Sequence, residues 1–132
     1  MLFIAFPGVA LAQPRAADDE RERAFVESMR REDPAAADRY VALRDARAQA
    51  LAELRKVEAQ YNAAGPGLQG IFARSLVQAR KKYAETSLAL IDFYDARDRE
   101  AVSKYQEEIG RINAFIEERK KTREELQKLL AP

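Results

Sequence analysis

The chain has 132 residues, with 23 Lys or Arg against 22 Asp or Glu and neither Cys nor His. This near-neutral balance argues against nucleic-acid binding, which needs a clear excess of positive charge. The missing residue types exclude disulfides, thiolate and imidazole metal sites and a thiol nucleophile, and they remove the commonest general base of enzymes. We therefore expect a single domain that is not an enzyme and has no catalytic, cofactor-binding or metal-binding residues.

The first twelve residues predict a signal peptide. Residues 2–12 (LFIAFPGVALA) form an apolar run that ends in the small-x-small triplet Ala10-Leu11-Ala12, as signal peptidase sites do. A bilayer span needs about 20 apolar residues, so cleavage is favoured over anchoring. The mature chain would begin at Gln13 in a periplasmic or secreted protein. No Lys or Arg precedes the run, so the alternative is an apolar helix that packs on the rest of the chain.

Two helices are predicted before the first strong turn. Asp33-Pro34 combines a favoured N-cap with a favoured first helical residue, which predicts helices at about 19–32 and 34–63. A single helix kinked at Pro34 is the alternative, because the apolar spacing of three and four continues across it. Asp33 and Arg47 interrupt that spacing, and its apolar members are Phe25, Met29, Ala36, Tyr40, Leu43, Ala50, Leu54, Val57 and Tyr61.

One long helix is predicted after the cluster Gly65-Pro66-Gly67, which should end the second helix. Eleven residues make three helical turns, and apolar or small residues recur at that interval from Phe72. The three sets are Phe72, Tyr83, Tyr94, Tyr105 and Ile116; Leu76, Ser87, Asp98 and Ile109; and Ala79, Leu90, Ala101 and Ile112. We predict a continuous helix over about 68–130, roughly 90 Å long, in preference to a break near 95–99.

These elements predict an all-α protein, a long antiparallel helical hairpin of coiled-coil type whose second arm is one long helix. A short turn brings its flanking helices together antiparallel. A three-helix bundle is the alternative. Counting outward from the turn gives three pairs of predicted neighbours: Tyr61 with Phe72, Leu43 with Leu88 to Leu90, and Phe25 to Met29 with Val102 to Tyr105.

The second arm is longer than the first, which leaves part of its apolar face uncovered. A lone amphipathic helix gains most of its stability from packing that face, so the uncovered residues predict a protein partner or self-association. In a three-helix bundle they would be core instead. The predicted partner-binding residues are Ile112, Phe115, Ile116, Leu126, Leu129 and Leu130.

Two charged features are interpreted as solvated helix surface. Asp92, Asp95 and Asp98 lie three residues apart, with Glu85 nearby and Arg97 and Arg99 between them. A regular helix cannot wrap its own oxygens around a cation such as Ca²⁺, so an ion-pair network is favoured. The mixed run at 117–125 alternates in sign too evenly for a basic membrane-binding patch.

Two further features lie on the apolar face. Tyr83, Tyr94 and Tyr105 could contact a polymer or an unfolded chain, but at this spacing core packing is the favoured interpretation. Arg47 stands at an otherwise apolar position. It either pairs with an acid on the opposite arm and fixes the register, or packs its stem while its head reaches solvent.

Together these features predict an exported helical interaction protein of the cell envelope. Its most concrete activity would be chaperone-like binding of unfolded proteins through the apolar face. A membrane-surface or lipid-binding protein, and a purely structural oligomeric coiled coil, are the alternatives. The even charge disfavours the membrane surface, and neither nucleic acid nor a small-molecule substrate is expected.

Overall fold

The described part of the computed structural model, residues 16–131, is helical almost throughout and contains no strand. Helix α1 spans Ala16–Glu32, α2 spans Pro34–Ala63, and α3 spans Gln69–Leu130. The all-α prediction is confirmed. The α2 bounds agree with those predicted, α3 begins one residue later, and α1 begins at residue 16 rather than 19. The predicted signal peptide lies outside the described residues.

The junction between α1 and α2 is a capped break. Asp33 adopts an extended conformation with φ −151° and ψ 90°, and its Oδ1 accepts a hydrogen bond from the amide of Ala36. Pro34 opens α2, where its missing N–H has no helical partner to lose. The alternative of one kinked helix is wrong, because the chain reverses here. Arg30 of α1 consequently reaches Asp38 of α2 at 2.8 Å.

Helix α1 packs antiparallel on the first half of α2. The ring of Phe25 meets that of Tyr40 edge to face, with centroids 5.1 Å apart, and Met29 and Tyr40 are buried. Phe25 therefore packs on Tyr40 and not on the predicted residues 102–105, because residue spacing does not record that the chain changes direction at Asp33. Ala37, and not the predicted Ala36, is the fully buried residue of this contact.

The α1–α2 contact also includes a charged group. The Glu22 carboxylate accepts hydrogen bonds from the Tyr40 hydroxyl at 2.8 Å and from the Arg44 guanidinium at 3.0 Å. The hydrogen bond to Glu22 is the main reason that the pKa of Arg44 is raised above its ordinary value, with Asp45 contributing. These contacts fix the position of α1 along α2.

The second half of α2 packs antiparallel on the start of α3. The amides of Leu68 and Gln69 both donate to the carbonyl of Gly65, which closes the turn. Beyond it lies a small apolar core, formed by Leu54 and Val57 from α2 and Leu76 and Ala79 from α3, with Tyr61 and Tyr83 packed against it. The predicted antiparallel pairing therefore holds between α2 and the α3 residues before 90.

The described residues divide into two compact units, one ending at residue 90 and the other beginning at residue 91, and α3 contributes to both. In the second unit, Phe93 is buried and the Arg97 guanidinium lies 6.0 Å from its ring centroid. Every described side chain from residue 98 onward is exposed. Within residues 16–131, no helix combines the length and the hydropathy that a membrane crossing requires.

Candidate interaction surface

The second unit carries a row of exposed apolar side chains, here called the C-terminal stripe. All six predicted partner-binding residues belong to it, and their side chains are between 46% and 84% exposed. Val102, Tyr105 and Ile109 lie outside the predicted set, because apolar spacing alone does not show that this part of α3 is uncovered. The stripe consists of Val102, Tyr105, Ile109, Ile112, Phe115, Ile116, Leu126, Leu129 and Leu130.

The spacing of the stripe places most of it on one line along α3. From Val102 the intervals alternate between three and four as far as Ile116, and Leu126 and Leu130 continue the same register. Arg119 and Arg123 occupy the two positions between them. Intervals of this kind keep side chains on one face of a helix and are the pattern of coiled-coil contact positions. Phe115 and Leu129 lie beside this line.

The ion pairs of the second unit lie off that line. Three of them link residues three or four apart along α3, and all their side chains are more than half exposed. Such pairs contribute a few tenths of a kcal/mol each, which supports the helix, and their charged groups hydrate the surface beside and behind the stripe. They are Glu100 with Lys104, Glu108 with Arg111, and Glu125 with Lys128.

The three tyrosines that the sequence placed in one row differ in environment. Tyr83 packs on the core of the first unit, as predicted. Tyr94 is partly exposed, and its ring lies edge-on to Phe93 with centroids 6.1 Å apart. Tyr105 is 71% exposed, so the prediction of core packing is wrong at this position, and Tyr105 belongs to the stripe instead.

Arg47 binds across the helix pair of the first unit. Its Nε donates to Ser87 Oγ and its Nη2 donates to the Tyr83 hydroxyl, each at 3.2 Å, while its guanidinium stands 5.6 Å from the Tyr83 ring centroid. Of the two predicted alternatives for Arg47, the contact with the opposite arm is found, but these two partners are hydroxyls and not the expected acid. Ser87 is itself buried between the two helices. The Arg47 guanidinium therefore gives the Ser87 hydroxyl a hydrogen-bond partner within an apolar surrounding.

The acidic row and the grooves of α3 show no converging polar groups. Asp92, Asp95 and Asp98 are exposed, and residues 16–131 contain no group of three or more metal-ligating side chains placed to hold an ion. Two shallow grooves run along α3, one from Asp95 to Gln106 and one from Arg119 to Leu130. Each is lined by a single helix, whereas a substrate site brings groups from several elements around a cavity.

Comparisons of the sequence with protein-family models and with curated proteins, and of the fold with solved structures, give no match.

Proposed function

We propose that this protein is an exported, non-catalytic interaction protein that binds a helical protein partner through the C-terminal stripe. The supporting observation is the combination of exposure and spacing in that stripe, where Ile109, Ile112 and Ile116 are each about half exposed at coiled-coil intervals. Covering a Leu or Ile side chain contributes roughly 1.5–3 kcal/mol, so a face of this kind gains from association. Export rests on the apolar run and the Ala10-Leu11-Ala12 triplet.

A second candidate, chaperone-like binding of unfolded proteins, has one observation in its favour. Phe115, Leu129 and Leu130 are strongly exposed, and the first two lie beside the regular line of the stripe, which widens the apolar face at two points. An irregular apolar face suits extended or varied client segments better than it suits a single helix. The balanced charges around it would keep such complexes soluble.

A lipid surface fits the same stripe less well. Helices that lie in a membrane interface carry a polar face rich in Lys and Arg. Here the ion pairs on α3 alternate acid with base, as Glu108 with Arg111 and Glu125 with Lys128 show. Co-sedimentation with anionic lipid vesicles tests this alternative, and the proposal predicts that the protein stays in the supernatant.

Photo-crosslinking in the producing cell tests the proposal. A photoreactive amino acid is placed at position 116 in the stripe, and a matched one at position 121 on the charged face. We expect crosslinked products from position 116 only, and their loss when Ile109 and Ile112 are replaced by Lys. One discrete product indicates a coiled-coil partner, whereas many unrelated products indicate the chaperone-like activity. Equal yields from positions 116 and 121 would contradict both.

A further inference from the structure

We infer that the partner of the C-terminal stripe is a second copy of this chain, paired antiparallel over residues 98–123. This inference rests on the proposed function and names its partner. The contact line over these residues has eight positions, and all eight side chains are exposed. In chain order they are Asp98, Val102, Tyr105, Ile109, Ile112, Ile116, Arg119 and Arg123.

The order of charges along this line argues against parallel pairing in register. In such a pair each contact residue faces its own copy. Asp98 would then face Asp98, and both Arg119 and Arg123 would face themselves. Three layers of like charge would be brought out of water together, and an unpaired charge in such an interface is strongly unfavourable. Only five layers would remain apolar.

In the antiparallel arrangement, the same order of charges along the contact line places opposite charges against each other. When the two-fold axis lies between Gly110 and Arg111, the acidic end of one copy meets the basic end of the other, and the aliphatic residues meet in the middle. The Arg119 stem can pack on an apolar neighbour while its guanidinium reaches solvent. The facing pairs, each formed twice, are Asp98 with Arg123, Val102 with Arg119, Tyr105 with Ile116, and Ile109 with Ile112.

Neighbouring staggers match less well. Sliding one copy by a heptad in one direction sets Arg123 against Tyr105 and Arg119 against Ile109. Sliding it in the other direction sets Asp98 against Ile116. Each of these two staggers places a charged side chain against a large apolar one. The charged residues therefore favour the stagger centred at residues 110–111.

The size of this interface sets the strength of association. A stable interface takes roughly 20–30 residues from each partner, whereas the contact and flanking positions over 98–123 supply roughly 16 by the coiled-coil pattern. We therefore expect a reversible dimer that forms at high protein concentration. The intrahelical pairs Glu100–Lys104 and Glu125–Lys128 lie on the outer face and are not disturbed by it.

Spin-label distances test the pairing directly. The chain has no Cys, so a single Cys at Glu125 or Glu107 labels the full-length protein uniquely. At a rise of 1.5 Å per residue, the two labels at 125 lie roughly 45 Å apart in the antiparallel dimer, and a one-heptad slip changes this by about 10 Å. In a parallel dimer they lie roughly 20 Å apart. Labels at 107 lie roughly 20–25 Å apart in the proposed dimer.

Charge exchange supplies a second test. Asp98→Arg and Arg123→Glu should each weaken the dimer by about tenfold, because each change removes both copies of the pair. Asp98→Arg combined with Arg123→Glu should restore wild-type affinity. In a parallel dimer like charges face each other in every variant, so neither single change would weaken that dimer. Lys121→Glu is the matched control on the outer face and should leave the dissociation constant unchanged. Sedimentation velocity measures all four.

The outcomes separate this inference from the proposed function. A label distance near 45 Å at 125, together with restoration by the double charge exchange, supports it. A protein that stays monomeric at roughly 500 µM, or a short distance at 125, overturns it. If the monomeric protein still gives a crosslinked product of another protein from position 116, the interaction proposal stands while the self-pairing fails.

Discussion

The hydroxyl of Tyr40 on α2 donates a 2.8 Å hydrogen bond to Glu22 Oε1 on α1, although the two residues lie 18 positions apart. Tyr40 is almost fully buried, whereas the Glu22 side chain is about one-third exposed. The bond therefore joins a buried ring to a carboxylate at the edge of the helix pair. Arg44 binds the same carboxylate oxygen, so one acidic side chain on α1 holds two residues of α2.

Removing the Tyr40 hydroxyl should loosen α1. For Tyr40→Phe we expect the free energy of unfolding to fall by about 1 kcal/mol, less than is usual for a hydrogen bond to a charged group, because solvent reaches Glu22. Urea denaturation followed by circular dichroism measures it. Tyr105→Phe, at an exposed position, should change stability by less than about 0.5 kcal/mol. Equal effects from both would show that the bond contributes nothing.

The Arg47–Ser87 contact should behave as a coupled pair. Arg47→Met leaves the buried Ser87 hydroxyl without this donor, and Ser87→Ala leaves the guanidinium without this acceptor. We expect each change to cost about 1 kcal/mol, and the double variant to cost less than their sum by about 0.5–1 kcal/mol. Denaturation of the four proteins in the double-mutant cycle measures the coupling, and strict additivity would contradict it.

Gly110 lowers the local stability of the helix in the second unit. A Cβ added there meets nothing within 4 Å, and Ala is favoured over Gly inside a helix by about 0.8–1 kcal/mol. Gly110→Ala should therefore slow amide hydrogen exchange at residues 106–118. Ala114→Gly, on the same exposed helix, is the mirror control and should speed exchange at the same amides. A slower exchange in both variants would disprove this explanation.

Changes in the stripe should separate association from folding. Replacing Ile112 and Ile116 by Lys should abolish association but leave the thermal unfolding of the first unit unchanged, since both side chains are about half exposed. Sedimentation velocity and thermal melting measure the two effects. Val77→Lys, at an exposed apolar position in the first unit, should preserve association. If the double variant unfolds the first unit, those isoleucines are core and the bundle alternative is right.

If the protein is exported, cleavage of the signal peptide should give a mature chain with a defined first residue. Expressed from Met1 in a secreting host, the protein should be recovered outside the cytoplasm with Gln13 as its first residue, because Ala10 and Ala12 satisfy the small-residue requirement of signal peptidase. Intact-mass spectrometry measures this. Ala12→Arg should block the cleavage. A cytoplasmic, unprocessed wild-type protein would contradict the export proposal.

The helix boundaries at the two turns could be predicted because local residues determine them. Asp33 with Pro34, and Gly65 with its neighbours, act through backbone geometry within a few residues. The reversal at Asp33 could not be predicted, since the apolar spacing of α2 is the same whichever way α1 points. The exposed state of Tyr105 was missed for a related reason. Apolar periodicity shows that a helix has a contact face, but it does not show which surface covers that face.

Asp33, the single non-helical residue between α1 and α2, also determines how the first unit opens. When two helices joined by so short a link separate, they rotate about the link. The displacement is then largest at the end of α1 farthest from Asp33. Contacts at Glu22 should break before those of the buried Met29, which lies one turn from the link. The amides of α1 should then lose protection first near residue 16 and last near residue 32, a graded local unfolding that leaves the Leu54 core closed.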